Sequence, residues 1–221
     1  MERKELNWMK QIISYIDSVF HNQDALLEDV LSSIRENGMP SISVSPSSGK
    51  LLTMLVSISG AKNVLEIGAL GGYSGICLAR GFGMEGKLTS LELEERYAKL
   101  AYSNLSKAGF GNQVTYLTGP ALQSLEKLVR ENKRYDFFFI DADKENYENY
   151  LRYCITLAEP GALIVADNVL AGGSVAEQSA NPKRYTEIMQ KFNDTVANHP
   201  QLESLLIPIG DGLTISKVRT K

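Results

Sequence analysis

The feature that most constrains this chain is a rhythm. From residue 62 onward, a short and continuously apolar run is followed by an amphipathic stretch, and the pair recurs along the chain. The runs are "KNVLEIG", "GKLTSLEL", "QVTYLTG", "YDFFFIDA" and "GALIVADN". Apolar spacing between and after them predicts helices from Ser74, over Glu95–Ala108, Pro120–Asn132, Asn146–Ala158 and Pro182–Ala197. A strand with one wet face alternates apolar and polar residues, whereas a continuous run needs helices on both faces, as in a parallel sheet. Two last segments, "LESLLIPI" and "DGLTISKV", are separated by a short turn and predict an antiparallel hairpin. The expected architecture is α/β: a doubly wound sheet of about seven strands, parallel except for one antiparallel edge strand, with helices on both faces.

Ahead of this rhythm the spacing is helical. Leu6, Met9, Ile13, Ile16 and Phe20 predict a first helix, and Leu27, Val30 and Ile34 a second that stops at Asn37-Gly38 before Pro40. "SPSSGKLLTMLVSISG" opens with capping residues and closes on Gly60 as a third. The reading is one domain over residues 1–221, with 1–45 as an N-terminal helical extension. A net charge of -3 gives no basic excess for a nucleic-acid backbone, so no nucleic-acid partner is expected. Charges interrupt the apolar residues of the N-terminus and no run is long enough to span a bilayer, so neither a signal peptide nor a membrane partner is expected. Cys77 and Cys154 lack a CxxC partner and read as reduced packing residues of a cytoplasmic protein.

Ligands of such sheets bind at the carboxyl ends of the strands, near the point where strand order reverses. The turn there is "VLEIGALGGYSG", whose Gly68, Gly71 and Gly72 permit close approach but do not form GxGxxG. Glu66 would repel a pyrophosphate and attract an ammonium or sulfonium, which favours S-adenosylmethionine over a dinucleotide. Glu92 lies about 20 residues past the turn, where an acid accepts hydrogen bonds from ribose hydroxyls. Ala121, in "TGPAL", belongs to a small-residue turn that suits an adenine ring. Ser74 is not a hydrolase nucleophile, because GxSxG is incomplete, with Ile76 where its second glycine would stand; its hydroxyl suits the amino-acid end of the cofactor.

Two further strands end on polar residues: Asp141, Asp143 and Lys144 after one, Asp167 and Asn168 after the next. Neighbouring parallel strands would bring Asp141, Asp167 and Asn168 together. Oxygen donors without cysteine or histidine suit a hard divalent cation, Mg²⁺ first, with Ca²⁺ or Mn²⁺ as alternatives. Lys144, three residues after Asp141, would point into the same mouth; a cation beside it disfavours its ammonium form and makes it a usable base. Asp143 reads as a helix cap. His21 and His199 are assigned no role.

With these residues in place, "VLEIGALGGYSG", "LELEERYAKLA", "GPAL", "FIDADKENYENYL" and "ADNVLAGGSV", in this order, resemble the cation-dependent O-methyltransferases. That family includes plant caffeoyl-CoA O-methyltransferases, bacterial relatives and, more distantly, catechol O-methyltransferase. The resemblance implies a Rossmann-like fold and methyl transfer from S-adenosylmethionine to a hydroxyl of a catechol-like acceptor, a small phenolic molecule with vicinal hydroxyls. It implies cofactor contacts at Val44, Glu66, Gly68, Ser74, Glu92, Ala121 and Asp141, metal ligation by Asp141, Asp167 and Asn168, and catalysis by Lys144 as base with Asp141. It also implies a homodimer in which residues 1–45 contact the partner and cover the acceptor. Ala171 stands where plant members carry tryptophan, so an acyl-CoA acceptor is not carried over. Two alternatives stand beside this expectation: an NAD(P)-dependent oxidoreductase, disfavoured by Glu66 and the missing GxGxxG, and a non-catalytic binding protein that keeps the fold, disfavoured by the acid set.

Overall fold

The structure, a computed structural model, describes residues 11–12, 15–16, 18–20, 24–177 and 184–220. The predicted first helix lies largely outside the described residues, as does the predicted helix start at Pro182.

Helix α1 (Ala25–Glu36) begins where the Asp24 side chain accepts the Leu27 N–H at 3.2 Å. Helix α2 (Pro46–Ser59) begins on Ser45, whose hydroxyl accepts the Ser48 N–H, and stops at Gly60 in the left-handed conformation. Both boundaries follow the capping chemistry of the sequence. The α/β rhythm then runs β1 (Asn63–Ile67), α3 (Tyr73–Phe82), β2 (Lys87–Glu92), α4 (Glu95–Lys107), β3 (Val114–Thr118), α5 (Ala121–Arg130), β4 (Tyr135–Ile140), α6 (Tyr147–Leu157) and β5 (Ala158–Ala166). Helix α7 (Thr186–Asn198) and strands β6 (Leu202–Ile207) and β7 (Leu213–Val218) complete the chain. No helix among the described residues is long and apolar enough to cross a membrane.

The seven strands form one sheet in the order β3-β2-β1-β4-β5-β7-β6. Strands β1 to β5 pair in parallel, and β7 is antiparallel to both its neighbours. The hairpin is antiparallel as its short turn requires, but the reversed strand inserts between β5 and β6. The outermost strand, β6, therefore runs with the parallel set. Strand order reverses between β1 and β4, which opens a crevice above their carboxyl ends.

Burial on both faces explains the unbroken apolar runs. In β4, Phe138 and Ile140 join the core under α5, α6 and α7, while Phe137 and Phe139 join the core under α2, α3 and α4. In β1, Leu65 and Ile67 lie in the first core and Val64 in the second, which places Glu66 on the α3 side by the two-residue period of a strand.

Helix α1 packs directly on the glycine turn after β1. Asn104 of α4, buried, donates to Ser33 Oγ and to the Gly71 carbonyl, both at 2.9 Å. Arg80 of α3 pairs with Asp24 at the start of α1. A Cβ on Gly71 would lie 2.2 Å from Ile34 Cγ1, so glycine is required there by the approach of α1. Gly71→Ala is expected to destabilise the fold by about 1–3 kcal/mol through this overlap. In urea unfolding, Ile34→Ala should cost less in the Gly71→Ala background than in the wild type; equal costs would show that the two positions do not press on each other.

Candidate active site

A cavity of about 660 Å³ opens above the carboxyl ends of β1, β2 and β4. Its wall is formed by the glycine turn after β1, the loop before α2, the entry to α5 and the residues after β4. Of the residues expected to hold a cofactor, Val44, Gly68, Ser74, Glu92, Ala121 and Asp141 line it. Lys144 and Asn168 line the same cavity. The topology therefore gathers residues scattered over more than half of the chain at one sheet edge.

The expectation that Glu66 presents its charge to this space is corrected. Its carboxylate is fully buried behind the cavity wall, where it accepts the Ser74 hydroxyl at 2.5 Å and the Ser90 hydroxyl at 2.6 Å. Ser90 is the register partner of Glu66 on β2, so both side chains leave the sheet on the same face. Burial pushes the Glu66 carboxyl up to about 7, against the lowering effect of the two hydroxyls. Ser90 was missed in the sequence; the available signal was a small polar residue inside the apolar run "KLTSLEL".

Glu92 lines the cavity and also fastens the turn. Its Oε2 accepts the N–H groups of Ala69 and Leu70 at 3.1 and 2.8 Å, and its Oε1 accepts that of Glu94 at 3.0 Å. Leu70 has φ 48°, an unfavourable conformation for a branched side chain that the two hydrogen bonds help to hold. A carboxylate has about four acceptor positions, so capacity remains for a ligand hydroxyl.

One end of the cavity is built around Lys144. Its ammonium donates to Asp141 Oδ1 at 3.2 Å, to Asn168 Oδ1 at 3.0 Å and to the Tyr147 hydroxyl. Asn168 has φ 59°, a conformation asparagine adopts more readily than most residues, and it carries its side chain back over the mouth. Asp167 is 2% exposed and does not line the cavity; its Oδ1 accepts the Asn168 N–H at 2.6 Å. Burial, reinforced by the Asp141 charge, pushes the Asp167 carboxyl up to about 7. Burial also raises Asp141, opposed by the Lys144 charge. Tyr147, with no exposed surface, is raised well above the ordinary phenol value by burial and stays protonated.

Asp143 makes no side-chain cap. Its carboxylate instead accepts the Tyr150 hydroxyl and the Asn146 amide, and the residue lines the cavity. The cap expectation failed because a short 3-10 turn, Lys144–Asn146, intervenes before α6.

Among the described residues, no group of three or more histidine, cysteine or acidic side chains is arranged to hold a metal ion. The candidate set is two carboxylates and an amide. In kind it fits a hard cation, and Asp141 Oδ1 and Asn168 Oδ1 already converge on one positive charge, the Lys144 ammonium.

A crevice at the switch point, a glycine turn without the pyrophosphate fingerprint and an acid at the end of β2 fit an α/β fold that holds an adenosine cofactor without a pyrophosphate. Comparison with known proteins carries this further. A family model for O-methyltransferases matches residues 17–219. The chain is 42% identical over 211 residues to a catechol O-methyltransferase of Niastella koreensis, covering 93% of this chain and 95% of that protein. It is 31% identical over 208 residues to a caffeoyl-CoA O-methyltransferase of Medicago sativa, covering 90% of this chain and 84% of that protein. Among solved structures, an O-methyltransferase from Bacillus cereus in complex with SAH superposes with a TM-score of 0.85 at 36% identity, covering 95% of this chain and 97% of that one. The chain belongs to the O-methyltransferase family and is an S-adenosylmethionine-dependent enzyme. That membership sets aside the nicotinamide-dependent and non-catalytic alternatives.

Glu66 gives a pH-dependent stability with a definite sign. Its folded value of about 7 lies above the ordinary 4.5, so between these values the folded state holds a proton that the unfolded state has released. The wild type should lose stability relative to Glu66→Gln as pH rises from 4.5 to 7, with no further relative change above 7. Thermal melts of both proteins across this range measure it, and a difference that does not vary with pH would refute the buried, raised carboxyl.

Proposed function

We propose that this enzyme methylates one hydroxyl of a catechol-like small molecule with the assistance of a divalent cation. The observation that carries the reading is the convergence of Asp141 and Asn168 oxygens on a single positive charge, the Lys144 ammonium, at the wall of a cavity that the glycine turn also lines. S-adenosylmethionine, when bound, supplies a methyl group on a sulfonium, so that the oxygen–carbon bond forms as the carbon–sulfur bond breaks and no redox change occurs. A divalent cation supplies, when bound, the positive charge that lowers the ordinary phenol value of about 10 and fixes two vicinal oxygens at once.

The chain's own residues do the rest. Val44, Gly68, Ser74, Glu92 and Ala121 shape the cofactor side of the cavity, with Glu66 holding Ser74 from behind. Asp141 stands between the cofactor side and the reaction end; with Asp167 and Asn168 it would hold the cation. Lys144 takes the proton from the acceptor hydroxyl, and fixed placement of donor and acceptor lowers the barrier further. The catechol acceptor of the Niastella relative supports this substrate class.

We further propose a homodimer contacted through residues 1–45, in keeping with the exposed Tyr15, Val19 and Phe20. Two free, buried cysteines suit a reducing cytoplasm.

Transfer of labelled methyl to a catechol, with and without chelator and beside a monophenol, tests the central reading. Transfer to the catechol should stop with chelator and return with Mg²⁺, and the monophenol, offering one oxygen, should react at least tenfold more slowly. Chelator-resistant transfer would remove the cation, and failure with every vicinal diol would remove the acceptor class. Asp141→Asn and Lys144→Met should each lower kcat by about 100-fold or more, within the range of general acid–base contributions.

A further inference from the structure

Lys144 has three oxygen partners, and they differ in kind. Asp141 Oδ1 and Asn168 Oδ1 are the oxygens that the proposed function gives to the cation. The third, the Tyr147 hydroxyl, comes from helix α6 and belongs to neither strand end. If Asp141 and Asn168 held a divalent cation, Lys144 would lose two of its three acceptors and its ammonium would be repelled. Tyr147 is the partner left.

Tyr147 is built to serve in that way. Its hydroxyl hydrogen is donated to the Asp167 carbonyl at 3.0 Å, which turns the oxygen lone pairs toward Lys144. Its ring lies 4.4 Å from the Lys144 nitrogen and adds the attraction of an aromatic face for a cation. The ring is fully buried and packs edge-on against Phe192 at 5.2 Å between centroids, so its position is set by the core and not by what occupies the cavity.

Resting on the catechol and cation reading above, we propose that Tyr147 is a positioning residue for Lys144. It holds the lysine beside the acceptor hydroxyl and, by doing so, keeps the ammonium from competing with the cation for Asp141 and Asn168. Without the hydroxyl, the oxygen partners that remain to Lys144 among the described residues are the cation's own ligands.

The test is a Mn²⁺ titration followed by electron paramagnetic resonance on the wild type, Tyr147→Phe, Lys144→Met and the double variant, together with steady-state kinetics on a catechol. Phenylalanine keeps the ring packing. Tyr147→Phe should raise the Kd for Mn²⁺ about tenfold, the scale of one hydrogen bond to a charged group. Lys144→Met should bind Mn²⁺ more tightly than the wild type, and adding Tyr147→Phe to it should change nothing. Tyr147→Phe should also lower kcat about tenfold with the KM for the catechol within twofold. A Tyr147→Phe variant indistinguishable from the wild type in both measurements overturns the proposal. So does a Kd change that persists in the Lys144→Met background, because the tyrosine would then act through the core. A wild type that binds no Mn²⁺ overturns the cation reading and this inference together, whereas normal binding and turnover with no effect of Tyr147→Phe overturn this inference alone.

Discussion

The site depends on a row of backbone hydrogen bonds that continues past the strands. Gly68 N–H donates to the Leu91 carbonyl at 2.9 Å, Asp141 N–H to the Ile67 carbonyl at 2.9 Å, and Asp167 N–H to the Ile140 carbonyl at 3.0 Å. The ends of β2, β1, β4 and β5 are thereby locked in register one residue beyond the sheet proper. The lock is tight: a Cβ on Gly68 would fall 2.0 Å from the Asp141 carbonyl oxygen, and Gly68 has φ 96°. Only glycine meets both demands. The glycine turn and the end of β4 are consequently one wall of the cavity, and Lys144 hangs from it three residues past Asp141.

Acidic residues on this wall divide into fasteners and exposed charges. Glu66 sits behind the turn with two hydroxyls on its oxygens, and Glu92 sits at its rim with three backbone N–H groups. Glu66 holds two side-chain hydroxyls and Glu92 holds the turn backbone, fastening that would otherwise fall to contacts inside the cavity. Asp141 and Asp143 instead face the cavity, where they meet the Lys144 ammonium and neutral donors respectively. A buried carboxylate is tolerated only with such partners.

Much of this was legible in the sequence, for reasons tied to particular elements. Continuous apolar runs reported the two-sided burial of β1 and β4, Asn37-Gly38 and Gly60 marked helix ends, and Asp141 at the end of its strand pointed to the cavity it lines, whereas Asp167 is buried outside it. What was not legible was side-chain direction within a run buried on both faces. When every position in "KNVLEIG" is covered, alternation no longer separates an inward from an outward face, so Glu66 looked like a residue at the cavity when it lies one layer behind it. Asp143 shows a different limit. A single 3-10 turn between it and α6 was enough to send its carboxylate to Tyr150 and Asn146, and turns of that length leave no periodic trace.

Tyr147 shows where sequence pattern and side-chain contacts part. In "KENYENYL" both tyrosines, Tyr147 and Tyr150, fall on the helix face that meets the core, and a buried aromatic there needs no further reason. The hydroxyls carry the difference. The one on Tyr150 reaches Asp143, while the one on Tyr147 is oriented by a backbone carbonyl of β5's end and turned to the lysine of β4's end. A side chain that packs as core at one end and joins two strand ends at the other is read as core alone until the fold brings those ends together. The charges that close "FFFIDADK" are thus held from two sides: by the backbone row that aligns the strands, and by an aromatic residue anchored in the hydrophobic layer beneath them.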